Sequence, residues 1–252
     1  MYFYNRNDYI LEESPLKQEL LRLFKSKDKL TILDIGGCEG EESIRYSRIF
    51  PNSKIFIFEP LPKNVQMIKE HLLNYNITNV TLMPLAVSDD IGVASFYVSK
   101  GHPKHESEGL DWDFGNKSSS LLIPEKQNNH DWLSFEEKID IQTITLDSFL
   151  DDTATSKIDF IHMDVQGAEL KVLHGAKKGL KNMKAIWLEV SNIELYKNQP
   201  LRCDIELFMK ENNFELVKSE MQDQTGDQLY LNKKYFKVVK IFSKQFYFTL
   251  KK

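Results

Sequence analysis

Leu30-Thr31-Ile32-Leu33-Asp34-Ile35-Gly36-Gly37-Cys38-Glu39-Gly40 is a short apolar run with β-branched residues that stops at an aspartate and opens into three glycines. A helix-like pattern over residues 41–50 follows without a gap. Strand, tight glycine turn and helix in that order open a doubly wound α/β domain, in which ligands sit outside the carboxyl ends of the strands. Backbone N–H groups at the helix start point at whatever occupies the turn, and glycine lets that ligand approach without a Cβ in the way. A cofactor is therefore expected at residues 34–40.

Outward from this unit, residues 54–58 read as a second strand ending at Glu59-Pro60. Residues 62–74 follow as a helix with Val65, Ile68 and Leu72 on one face, and residues 80–84 as a third strand. Short connections in a β-α-β-α-β order force parallel strands. The pattern then changes. Residues 88–92 are turn chemistry leading straight into a strand at 93–98, with no room for a helix, so an antiparallel excursion begins. Residues 100–136 carry Trp112 and Trp132 among Gly, His, Ser, Asn and Asp without periodicity, and so long a loop in a compact domain is usually functional or mobile. Strands are expected at 139–146, 158–164 and 185–190, a helical turn at 146–150 and helices at 168–178 and 203–212. A closing antiparallel pair is expected at 214–218 and 228–232. Ahead of the core, residues 12–25 read as one amphipathic lid helix with Ser14-Pro15 as its cap and first turn.

The tail, residues 233–252, carries seven lysines among aromatic and β-branched residues. Such a segment suits an anionic membrane surface, a dimer interface, or a last strand or helix packed on the edge of the fold. One domain is expected over residues 1–252, with a helical lid at 1–29, a core at 30–232 holding an insertion at 93–145, and the tail.

At 252 residues and 41% hydrophobic, the chain can bury a full core. Its net charge of −4 gives no global reason to expect nucleic acid as a partner. Two distant cysteines, Cys38 and Cys203, fit a reducing cytoplasm better than a disulfide framework. No stretch of 18 consecutive apolar residues occurs, so no membrane span or signal peptide is expected.

Asp34, Glu59, Asp164 and Glu189 each fall at or near a strand end, and a parallel sheet would gather all four on one edge. A nicotinamide cofactor calls for G-x-G-x-x-G with its pyrophosphate on the helix N-terminus. Here an aspartate precedes wider-spaced glycines, a poor neighbour for a pyrophosphate. S-adenosylmethionine suits it better, having a sulfonium, an ammonium and a ribose diol but no phosphate.

At these residues the chain resembles a known family. Asp34 to Gly40 looks like the first motif of class I S-adenosylmethionine-dependent methyltransferases, and Phe58-Glu59-Pro60 like the acidic end of their second strand. Ala86-Val87-Ser88-Asp89, Ser118-Ser119-Ser120-Leu121, Thr145-Leu146-Asp147-Ser148-Phe149 and Met163-Asp164-Val165-Gln166-Gly167-Ala168-Glu169-Leu170 resemble, in order, the signatures of FkbM-type methyltransferases. The resemblance runs from about residue 30 to about residue 217. It implies a Rossmann-like class I fold: a mostly parallel seven-stranded sheet with an antiparallel closing strand and a long inserted loop or hairpin.

The resemblance also implies roles. Gly36, Gly37 and Gly40 would let the backbone meet the methionine part, and Asp34 would orient the loop or accept from the ligand ammonium. Glu59, followed by Pro60, would take the ribose hydroxyls; Ala86 and Ser88 would flank the adenine; Asp164 would face the methionine part or the acceptor. Two positions depart from the family pattern: Gly36-Gly37-Cys38 stands where Gly-Ala-Asn is common, and Gln166 where Glu is common. Other readings of these residues stay open. The glycines also suit a plain tight turn, Glu59 an exposed strand end, and the three serines a plain loop. Glu169 suits a helix cap, and His162, inside a strand, a packed and hydrogen-bonded histidine.

The reaction implied is O-methylation of a hydroxyl on a glycan, a sugar precursor or a related small molecule, as in modification of a surface polysaccharide. Candidates for the base are Asp164, Glu189 and the loop histidines His102, His105 and His130. Asp164 and Glu189 also suit a divalent cation that would acidify the hydroxyl. Alternatives are transfer to nitrogen or to a phosphate-type oxygen of a nucleotide-linked metabolite, and a non-catalytic binding module.

Overall fold

The computed structural model describes residues 6–103, 114–125, 130–241 and 245–250. Two short helices, α1 (Arg6–Leu11) and α2 (Lys17–Leu23), replace the single helix expected at 12–25. Pro15 disfavours helix at the residue before it. Ser14 Oγ accepts from the Leu16 amide at 3.3 Å and donates to Glu42 at 3.0 Å, so the break is tied to the core. Strand β1 (Thr31–Ile35), helix α3 (Glu41–Ile49), β2 (Lys54–Phe58), α4 (Pro62–Asn74) and β3 (Val80–Met83) then follow as expected.

After β3 come β4 (Ala86–Val87) and β5 (Gly92–Lys100), a short 3₁₀ turn at Phe114–Ser118, and β6 (Ser134–Ile144). Strands β5 and β6 pair antiparallel and β4 pairs parallel with β6, giving a three-stranded sheet of its own. The antiparallel excursion is therefore present, with β6 starting five residues earlier than the sequence pattern placed it.

The core resumes with α5 (Leu146–Asp152), β7 (Ile158–Met163), α6 (Glu169–His174), β8 (Met183–Ser191) and α7 (Arg202–Glu211). It closes with β9 (Phe214–Gln222) and β10 (Thr225–Asn232). Helix α6 is shorter than the 168–178 pattern suggested. Gly175 caps it where an added Cβ would lie 2.1 Å from the Ser88 carbonyl oxygen, so the chain there packs directly on the segment after β4. The main sheet has seven strands in the order β3-β2-β1-β7-β8-β10-β9, parallel except at the β10 pairings. This is the doubly wound, Rossmann-like arrangement expected, with its antiparallel closing strand.

The sheet is sandwiched between two apolar layers. One packs Phe149 edge-on against Phe56 and Phe58, with ring centroids 5.0 and 5.1 Å apart. The other packs α2 and α3 against Ile32, Phe160 and Trp187. Most of the stability comes from this burial, at about 25 cal/mol per Å² of apolar surface. The tail forms a hairpin, β11 (Phe236–Ile241) with β12 (Gln245–Leu250), and Phe236 is buried in the second layer. Among the described residues, no helix is long and apolar enough to cross a membrane.

Candidate functional site

Strand β1 ends against its neighbours at Gly36, whose N–H, like that of Gly37, donates to the Phe58 carbonyl at 3.0 Å. The backbone at Gly36 lies so close to the end of β7 that an added Cβ would stand 1.8 Å from the Asp164 carbonyl oxygen. Its φ of +85° is a second reason for glycine. Gly40 begins α3, also at φ +85°.

The turn bends towards Glu59. One Glu59 oxygen accepts from the Cys38 amide at 3.0 Å and the other from the Leu61 amide at 2.8 Å. At 5% exposure Glu59 is no loose strand end. Burial pushes its carboxyl up to about 8, against the pull of those backbone donors. A cleft of about 50 Å³ opens here, lined by Glu59, Pro60 and Ala86, by Phe96 and Leu121 from the insertion, and by Asp164.

A second cavity, of about 360 Å³, adjoins the first. Gly36, Cys38, Lys117 and Asp164 line both. Tyr9 and Pro15 of the N-terminal segment contribute to its wall, together with Trp187 of β8 and Asp227 of β10. The described part of residues 1–29, where a lid is expected, flanks this cavity through Tyr9, Pro15 and Leu16.

Asp34 faces the second cavity rather than the first. It accepts from Ser43 Oγ at 2.6 Å, lies 3.8 Å from His162 Nδ1, and burial raises its carboxyl to about 6. Asp34 thus ties β1 to α3, and His162, 3.1 Å from the Tyr46 hydroxyl, is hydrogen-bonded and also lines the second cavity. Gly37 borders the second cavity, whereas Ser88 is buried, donates to Asp89 at 3.0 Å and borders neither.

Past β7, Asp164, Glu169 and Glu189 bring carboxylate oxygens within 4.8 Å of one another. Each is engaged by protein donors. Gln166 Nε2 donates to Asp164 at 2.6 Å and to Glu189 at 3.0 Å, while one Glu169 oxygen accepts from the Val165 and Gly167 amides. Desolvation raises all three carboxyls; Glu169 reaches about 7, and Glu189 is pushed well up, with the charges of Asp164 and Glu169 adding to the shift. The group holds more protons at neutral pH than free carboxylates would.

His130 is exposed and stacked on Trp132 with ring centroids 5.4 Å apart, and it lines neither cavity. The structure does not bring it to Asp164 and Glu189. His102 is likewise absent from both linings, and His105 and Trp112 lie outside the described residues.

Several lining residues gave no sequence signal of their own. Asn116 Nδ2 donates to buried Glu39 at 2.8 Å, so Glu39 points inward to the insertion rather than to solvent. Lys117 Nζ donates to Glu41 and to the Tyr9 hydroxyl, both at 3.2 Å, and lies 4.3 Å from the Tyr9 ring centre. These two directly precede the serine run, which is itself structural: Ser120 Oγ donates to the Gln166 carbonyl at 2.7 Å, and Tyr196 donates to the Ser118 carbonyl at 2.7 Å.

The family model described as "Methyltransferase FkbM domain" matches residues 34–216. A 2-O-methyltransferase, NoeI of Sinorhizobium fredii, is 32% identical over 219 residues, covering 86% of this chain and 85% of that one. Methyltransferase sdnD of Sordaria araneosa is 24% identical over 220 residues, 76% of each chain. Among solved structures, the N-terminal domain of EvdMO1 with SAH bound matches 90% of this chain and 84% of that one at 11% identity and a TM-score of 0.48.

Proposed function

Because the chain belongs to the FkbM methyltransferase family, with the class I fold and S-adenosylmethionine dependence that this entails, we propose that it methylates a hydroxyl of a glycan or sugar precursor. The observation that carries the reading is the cleft at Glu59. A buried carboxylate there ends the second strand, one backbone donor on each oxygen, between the glycine turn and the apolar walls of Ala86 and Phe96. A carboxylate placed so accepts from a ribose diol beside an adenine and is a poor neighbour for a pyrophosphate. The similarity to a 2-O-methyltransferase supports oxygen as the methylated atom.

In this reading Glu59 holds the ribose hydroxyls, Pro60 and Ala86 bound the adenosine, and Gly36 and Gly37 shape the passage to the second cavity. Bound there, S-adenosylmethionine supplies a methyl group activated by its sulfonium. Alignment of donor and acceptor is the protein's main contribution, worth roughly 7–11 kcal/mol when well oriented. Asp164 borders both cavities, so it accepts the proton of the incoming hydroxyl, a task worth about 10²–10⁴-fold. Glu189, whose carboxyl is pushed up by burial and then by the charges of Asp164 and Glu169, shares the Gln166 amide with Asp164 and fixes its orientation. Protein donors already engage the three carboxylates, so no cation is needed for these steps.

Cys38 and Cys203 are unpaired, which fits a cytoplasmic enzyme. In the tail, Phe236 is buried and Tyr235 and Val238 pack against the core, which favours the packed-edge reading over membrane or dimer contact. Methyl transfer from labelled S-adenosylmethionine to neutral sugars, with the product's methyl located by NMR, tests the proposal. An N-methyl product, or cofactor binding without any transfer, would count against it.

A further inference from the structure

Among the described residues, six carboxyl groups line the acceptor cavity against one lysine, Lys117, and one histidine, His162. Asp227 opens towards it from β10, directly across from Glu220 of β9. Its carboxylate accepts no hydrogen bond and makes no ion pair among the described residues, although it is half-buried. Asp164, Glu220 and Glu42 act on it as like charges, and His162 as an opposing one. Glu220 is paired with Lys218 at 2.9 Å and Glu42 with Arg45, so Asp227 stands out as the acid with unused acceptor capacity.

Lys117, the single lysine of the lining among the described residues, is already committed to Glu41 and the Tyr9 hydroxyl. Among the described residues, no arginine lines the cavity. An acceptor bearing phosphate or carboxylate would meet only Lys117, held by Glu41, and His162, 3.8 Å from Asp34, and would lie beside like charges, which is costly in a desolvated site. A ring with hydroxyl or ammonium donors would instead satisfy Asp227 and rest its apolar face on Trp187, which borders the same space.

Building on the methyltransferase reading, we propose that Asp227 is a specificity-determining residue of the acceptor cavity, selecting a neutral or amino sugar through its hydroxyl or ammonium donors and rejecting phosphorylated and uronic-acid acceptors. Transfer to a phosphate oxygen is thereby disfavoured.

The test offers glucose, galactose and mannose units in four forms: methyl glycosides, 2-amino sugars, uronates and 1-phosphates. Methyl transfer is read for the wild type, Asp227→Asn and Asp227→Lys, and affinity for S-adenosylhomocysteine is measured beside it. The best wild-type acceptor is expected among the neutral or amino forms. Asp227→Asn should raise its KM about 10- to 100-fold, the loss of one charge-assisted hydrogen bond, with cofactor affinity unchanged. Asp227→Lys should narrow the gap to the anionic forms. A uronate or phosphate as best acceptor, an unchanged KM in Asp227→Asn, or no turnover of any form while the cofactor binds would overturn the proposal. Failure of the wild type to bind the cofactor would instead sink the underlying methyltransferase reading.

Discussion

Gly36 leaves no room for a side chain, because two strand ends meet there: the Asp164 carbonyl oxygen occupies the place of its Cβ, and φ is +85°. Gly36→Ala should therefore cost about 3 kcal/mol or more, from overlap plus a left-handed backbone. A denaturation midpoint equal to the wild type would show that the two strand ends are not so tightly joined. Asp164, in contrast, is exposed to both cavities. Asp164→Asn should lower kcat by about 10²–10⁴-fold while the Tm changes little. A normal kcat would remove it as the base. Glycine and acid spacing made both residues legible in the sequence. Lys117 and Asp227 were not legible, since nothing local marks them; only the return of the insertion and of the closing strand brings them to the cavities.

At the scale of elements, the insertion does more than decorate the core. Its strand β5 and the serine segment supply Phe96, Ser119 and Leu121 to the cleft at Glu59, and Ser120 anchors it to the Gln166 carbonyl. The cleft holds about 50 Å³, well below the ~300–1,000 Å³ of typical ligand sites, whereas the adjoining cavity holds about 360 Å³. A cofactor entering between these walls is expected to displace the insertion. Hydrogen exchange at residues 96–98 and 118–122 should change on adding S-adenosylhomocysteine while β7 and β8 keep their protection. An unchanged insertion would mean that the cofactor does not enter between these walls. Ser120→Ala should cost about 0.5–1.5 kcal/mol, because it removes the part-buried hydrogen bond to the Gln166 carbonyl. The alternating strands and the 3.6-period helices were readable from spacing alone. The broken lid helix was not, because Ser14 and Pro15 cap and break a helix with the same residues, and only the contact with Glu42 decides between them.

Across the whole molecule, buried carboxyls govern the response to pH. Glu59 is raised to about 8, Glu169 to about 7, and Asp34 and Asp227 to about 6, each first by desolvation. A folded state that holds protons more tightly than the unfolded chain is favoured below the ordinary carboxyl range near 4 and loses that advantage as pH rises through 6 to 8. The Tm of the unliganded protein should accordingly fall between pH 5.5 and 8.5, by at least about 4 °C at roughly 2–4 °C per kcal/mol for a chain of this size. A rising Tm over that window would contradict the burial of these groups.

The same carboxyl offers the most direct test of the central claim, that S-adenosylmethionine binds with its ribose on Glu59. A diol donating to both oxygens favours the ionised form, so binding releases a proton and affinity should climb with pH up to about 8. Calorimetry with S-adenosylhomocysteine at pH 6.5, 7.5 and 8.5 should show this climb in the wild type. In Glu59→Gln, affinity should be at least about 10-fold weaker at pH 8.5 and nearly flat with pH. No binding by the wild type, or identical curves for the two proteins, would contradict the account.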